Sequence, residues 1–112
     1  MTKKGRTVYI KSFSIKSKNY TFLENLSSEL NRSVSNTLDV IVKHSKLNNI
    51  HVILSDRTHV PHDVKIKSFS IKPETFEQIQ ILRLEYGGSN SSVVDRLLTK
   101  YHAIHLKGNL SL

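Results

Sequence analysis

Ile10-Lys11-Ser12-Phe13-Ser14-Ile15-Lys16 recurs letter for letter as Ile66-Lys67-Ser68-Phe69-Ser70-Ile71-Lys72. The offset is 56, half of the 112 residues, and it runs through the chain without a gap. Nine further identities keep the same step: Thr2/Thr58, Val8/Val64, Leu26/Leu82, Glu29/Glu85, Ser33/Ser89, Ser35/Ser91, Asp39/Asp95, Leu54/Leu110 and Ser55/Ser111. Apolar pairs such as Tyr20/Phe76, Leu23/Ile79, Leu38/Val94, Ile41/Leu97 and Val42/Leu98 keep it too. A gapless match whose apolar positions stay in step over both halves reads as two copies of one unit, 1–56 and 57–112.

The order of elements in each copy follows from periodicity. Around 8–16 and 64–72, Phe13 and Ile15 (Phe69 and Ile71) alternate with Ser12 and Ser14 (Ser68 and Ser70), which is a strand pattern. Tyr20, Leu23, Leu26 and Leu30, then Phe76, Ile79, Leu82 and Tyr86, follow at helical spacing. Pro73 suits the first turn of the second of these helices. Asn31-Arg32 and Gly87-Gly88 break the helices, Gly87 being a natural left-handed stop and Asn31 tolerating the same conformation. Ser33 and Ser89 then cap a further helix in each copy. It carries Leu38, Ile41 and Val42 in one copy and Val94, Leu97, Leu98 and Tyr101 in the other. Residues 47–63 link the copies; their apolar patch (Ile50, Val52, Ile53, Leu54) suits either a longer helix or extended chain. A single short strand leaves its ladder groups unpaired, and so small a unit buries too little surface. Both problems are solved if the two strands pair antiparallel with four helices beneath them. The expectation is a mainly α fold with a short two-stranded antiparallel β-ribbon, in the order β-α-α-β-α-α.

Composition narrows the function. There are 17 Lys+Arg against 9 Asp+Glu, a net charge of +8, which points to a polyanionic partner. Nine basic and four acidic residues give +5 in 1–56; eight and five give +3 in 57–112. Hydrophobic residues are 38% and aromatics 7%, too little for a large enzyme core with a deep cleft. The longest aliphatic run, Val52-Ile53-Leu54, is far short of a membrane span. Lys3, Lys4 and Arg6 are not followed by an apolar segment, so no secretory signal is expected. The absence of cysteine excludes disulfides and thiolate metal sites and fits a reducing compartment.

With these elements in place, the sequence resembles the ribbon-helix-helix family of DNA-binding proteins over nearly its whole length, in two tandem copies. The residues that carry the resemblance are the alternating strand, the helix after it, and the Gly-x-Ser-x-Ser turn, here Gly87-Gly88-Ser89-Asn90-Ser91. In the first copy that turn reads Asn31-Arg32-Ser33-Val34-Ser35, with Asn in place of Gly. Family members usually form homodimers, so the resemblance implies an intramolecular pseudo-dimer in one pseudo-two-fold domain, with a homodimer of such chains on DNA left open.

The resemblance implies that the ribbon enters the major groove, where base edges carry a distinguishable code. The base-reading positions would be Ile10, Ser12, Ser14, Ile66, Ser68 and Ser70. Backbone N–H groups at the second helices would hold phosphate, at Ser33 and Val34 and at Ser89 and Asn90. The phosphate-binding cations would be Lys3, Lys4, Arg6, Lys11, Lys16, Lys18 and Arg32, with Lys65, Lys67 and Lys72. Strict alternation puts Lys11 and Lys67 on the helix side, where the family usually has an apolar residue. Either the ribbon twists there or these lysines snorkel to nearby phosphates. Serine discriminates bases poorly, so affinity should rest on phosphates and fall steeply with salt.

Other chemistries are weaker. His59 and His62 flank Pro61, and His102 and His105 are three apart, but neither pair has cysteine or convergent carboxylates, so no metal is expected. There is no phosphate loop, nucleophile elbow or paired-carboxylate pattern, so neither catalysis nor a cofactor is expected. The leading expectation is a cytoplasmic, nucleoid-associated regulator of transcription, a repressor before an activator, on a pseudo-palindromic double-stranded operator. Its alternatives are an accessory DNA-binding protein of plasmid transfer or partition, and an antitoxin or other interaction module. RNA suits a ribbon less well, because the A-form major groove is deep and narrow.

Overall fold

The computed structural model describes residues 7–50, 63–108, Leu110 and Leu112. Lys3, Lys4, Arg6, the link residues Val52, Ile53 and Leu54, and His59 and His62 lie outside the described residues. The elements are β1 (Tyr9–Lys16), α1 (Ser17–Leu30), α2 (Val34–Leu47), β2 (Val64–Ile71), α3 (Pro73–Tyr86) and α4 (Asn90–Leu106). The described chain is mostly helical, with one two-stranded antiparallel sheet.

The alternation of the repeated stretch becomes a two-faced ribbon. Phe13, Ile15, Phe69 and Ile71 are 2% exposed or less and face the helices, while Ser12, Ser14, Ser68 and Ser70 face away. The ladder pairs Ile10↔Ser70, Lys11↔Phe69, Ser12↔Ser68, Phe13↔Lys67 and Ser14↔Ile66. Exchanging the repeats carries Ile10↔Ser70 onto Ser14↔Ile66 and Lys11↔Phe69 onto Phe13↔Lys67. Ser12↔Ser68 maps onto itself and marks the centre.

Each strand's outer edge is closed by the other repeat. Ser14 N–H donates to Ser91 Oγ (2.9 Å) and Lys16 N–H to Asp95 Oδ1 (2.8 Å). Ser70 N–H donates to Ser35 Oγ (2.9 Å) and Lys72 N–H to Asp39 Oδ1 (3.1 Å). Strand edges left open are templates for aggregation, and here four side-chain acceptors cover part of them. Because these N–H groups point outward, the even-numbered pairs are the non-hydrogen-bonded ones, whose side chains approach most closely.

One apolar cluster draws on both repeats: Phe22, Leu23 and Leu26 of α1, Leu38, Ile41 and Val42 of α2, Ile79 and Leu82 of α3, and Val94, Leu97, Leu98 and Tyr101 of α4. Tyr20, Leu30, Phe76 and Tyr86 pack half-buried at its margin. Burying each large side chain contributes roughly 1.5–3 kcal/mol before conformational entropy is subtracted. Tyr101 is fully buried, and its hydroxyl lies 2.6 Å from His44 Nδ1. Burial pushes its phenol well above the ordinary tyrosine value, so it stays neutral.

The helix ends follow their residues. Asn31 adopts the left-handed conformation (φ 56°, ψ 48°), and Arg32 N–H reaches back to the Ser27 carbonyl. Gly87 ends α3 at φ 83° but with ψ 179°, an extended rather than left-handed helical stop. Gly88 follows at φ 89°, where a Cβ would collide with Ser92 Oγ. That hydroxyl accepts from Ser89 N–H (2.9 Å), while Ser89 Oγ accepts from Ser92 N–H (3.1 Å). The second repeat thus starts its last helix with a capping box, which Gly88 makes room for. In the first repeat Ser33 Oγ accepts from Asn36 N–H at 3.0 Å. Of the link over 47–63, α2 takes Leu47, Asn49 turns at φ 52°, and Ile50 packs against the core.

Candidate nucleic-acid interface

The outward face of the ribbon collects all six residues expected to read bases. Ile10 and Ile66 are 65% and 73% exposed. Across the ladder each isoleucine stands opposite a serine, and the serine pair at the centre is hydrogen-bonded, Ser12 Oγ to Ser68 Oγ, at 2.8 Å. The face is therefore an apolar–hydroxyl pattern repeated on either side of its centre. Each Ser hydroxyl keeps lone pairs to offer an incoming group.

The helix starts flank this face. Ser35, in the first turn of α2, is bonded to the backbone of Ser70 on β2; Ser91, in the first turn of α4, is bonded to that of Ser14 on β1. These bonds bring Ser33 and Val34, and Ser89 and Asn90, to the two edges of the ribbon. Among the described residues the N–H groups of Val34 and Asn90 have no hydrogen-bond acceptor, as expected of the first residue of a helix. Two helix N-termini beside one exposed ribbon give positive potential on both sides of it. The described part of the chain contains no helix long and apolar enough to cross a membrane.

The cations divide into three groups. Lys18 and Lys65 are exposed beside the ends of the strands, and Arg32 is exposed before α2, its Nη1 donating to Asn36 Oδ1 at 2.7 Å. Lys16 and Lys72 are half-buried, held through their backbones by Asp95 and Asp39; the Lys16 ammonium is 4.0 Å from Asp95 Oδ2. Lys11 and Lys67 lie on the helix-facing side. The Lys11 ammonium sits 4.4 Å from the Phe76 ring centre and 5.6 Å from that of Tyr9, and Lys67 sits 4.9 Å from that of Tyr20. Lysine takes an apolar position here because an aromatic face receives its charge while its stem packs on the core. Tyr20 and Phe76 are themselves equivalent in the repeat, so the device is used twice.

Four residues that matter to this geometry have no contact predicted from the sequence: Ser35 and Ser91, which figure there only in the turn, and Asp39 and Asp95. Their signal was present, since each is an identity at the repeat offset on the helix that follows the turn. His102 and His105 share a helix face and both contact Phe22; the His102 ring stacks on it at 4.7 Å, and His105 Nε2 is 3.3 Å from Glu29 Oε1. No group of three or more metal-ligating side chains occurs among the described residues. No protein-family model matches this chain, and no curated protein or solved structure is similar enough to match it.

Proposed function

We propose that the protein binds double-stranded DNA sequence-specifically as a regulator of transcription, a repressor in its simplest form. In this reading the two repeats act as a ribbon-helix-helix pseudo-dimer within one chain, β1 and β2 enter the major groove, and the chain associates with the nucleoid. The observation that carries the reading is the outward ribbon face. Six exposed side chains are repeated about a central serine pair, on a strand pair whose other face buries Phe13, Ile15, Phe69 and Ile71.

A major groove admits a two-stranded ribbon, and its base edges offer what this face can use. Ile10 and Ile66 would meet thymine methyl groups, while the serines would donate to or accept from neighbouring base edges. The N-termini of α2 and α4 would each hold a phosphate on either side, with Lys18, Arg32 and Lys65 adding charge. Because the ladder is unchanged by exchanging the repeats, the subsite should be pseudo-palindromic. A second chain beside the first would extend it.

Selection of bound sequences from a random duplex pool, followed by competition at about 0.15 M salt, tests the reading. The parent should prefer the selected duplex over random duplex by about a thousandfold or more. The Ser12→Ala/Ser68→Ala and Ile10→Ala/Ile66→Ala variants should select altered sites. If all three proteins select the same sites with equal affinity, the ribbon is not the reader.

A further inference from the structure

The repeat allows each groove between helices to be compared with its counterpart. Between α1 and α4, Phe22 is only 4% exposed, and His102 stacks on it nearly parallel, at 4.7 Å and 16°. The equivalent positions between α2 and α3 are Gln78 and Lys46. Neither replaces the missing rings, and both line a cavity of about 420 Å³. That is within the size range of small-molecule sites.

The cavity wall has a definite chemistry. Val42 and Leu47 give it an apolar side. Arg32, Lys43, Lys46 and Lys72 bring four cations to it, against the carboxylates of Asp39 and Glu74. Asp39 already accepts the Lys72 N–H. Among the described residues none of the four cations forms an ion pair. An anion placed among these side chains gains attraction from several of them at once.

We propose that this cavity binds a small organic anion with a flat aromatic body. The body occupies the place that Phe22 and His102 fill in the sister groove, and its acidic group meets Lys43 and Lys46. This site lies off the outward ribbon face, although it shares Arg32 with the phosphate contacts proposed above.

Isothermal titration of the full chain with 2-naphthoate tests the proposal, with 2-naphthol and inorganic phosphate as comparators. One 2-naphthoate site per chain is expected, with both comparators weaker by about tenfold or more. Gln78→Phe/Lys46→His rebuilds the sister pair and should abolish the site while the thermal midpoint is kept or raised. Lys43→Glu should weaken binding by about tenfold with the helical circular dichroism unchanged. Equal binding of 2-naphthol, equal binding of phosphate, or undiminished binding in Gln78→Phe/Lys46→His would each overturn the proposal.

Discussion

The hydroxyls of Ser12 and Ser68, 56 residues apart in sequence, lie 2.8 Å from each other at the centre of the ribbon. They are the one ladder pair that exchange of the repeats leaves in place. In the free protein one of the two hydroxyls donates to the other, which keeps its own O–H free. On the proposed reading, a base edge would meet a preorganised pair rather than two independent rotors.

Removing that pair should separate stability from recognition. Ser12→Ala/Ser68→Ala exposes no new buried group, so the unfolding free energy should change by less than about 1 kcal/mol in urea titration. On DNA the preference at the central base pairs of the selected site should drop by about 1 kcal/mol, read by competition with single-base variants.

The two exposed isoleucines give a sharper test. Ile10→Ala and Ile66→Ala should be nearly neutral for folding, within about 0.5 kcal/mol. Replacing the contacted thymines by uracil deletes only the methyl group. It should weaken the parent protein by several fold and leave the alanine variants unchanged. A parent protein indifferent to uracil would remove the isoleucines from the reading set.

The strand-edge acceptors should matter for folding instead. Asp39→Ala and Asp95→Ala each strand a backbone N–H at a half-buried edge, and each should cost roughly 1–3 kcal/mol in chemical denaturation. Asn keeps an acceptor oxygen at the same place, so Asp39→Asn should recover a large part of the loss. Equal losses for Ala and Asn would mean that the carboxylate charge matters rather than the hydrogen bond.

Phe22 and Gln78 occupy equivalent positions but should differ greatly. Phe22→Ala empties a packed groove and should cost about 3–5 kcal/mol; Gln78→Ala should cost less than about 0.5 kcal/mol. Thermal unfolding of the two variants side by side measures the contrast.

Salt should control affinity for DNA. Contacts to about four to eight phosphates give a slope of about −4 to −7 in a plot of log K against log salt, measurable by fluorescence anisotropy. Charge-neutralising changes at Lys18 and Lys65 should flatten it by nearly one unit each, without altering the selected sequence.

Much of this architecture was legible because its signals are local. Alternation fixed which of Phe13, Ser14 and Ile15 faces inward, and the stop at Asn31 and the caps at Ser33 and Ser89 are written within a few residues. What escaped were contacts with no local signature. Asp95 lies 79 residues from the Lys16 N–H it accepts, and nothing in spacing alone links them. Phe22 is buried but its counterpart is Gln78, so agreement between the copies does not mark it as a core position. The ring partners of Lys11 and Lys67 likewise come from the helix after the opposite strand.

The reciprocal closure of the strand edges has a consequence for how such a chain can change. Two identical subunits would have to accept every substitution twice, once on each side of their axis. One covalent chain accepts it once. Tyr101 lies in the core against His44, while the equivalent position holds Ser45, whose hydroxyl turns back to the Val42 carbonyl. Phe22 and Gln78, and the Asn and Gly stops, diverge in the same way. The two halves thus differ where they do not hold each other. They are alike at Ser35, Asp39, Ser91 and Asp95, where each clasps the other's strand.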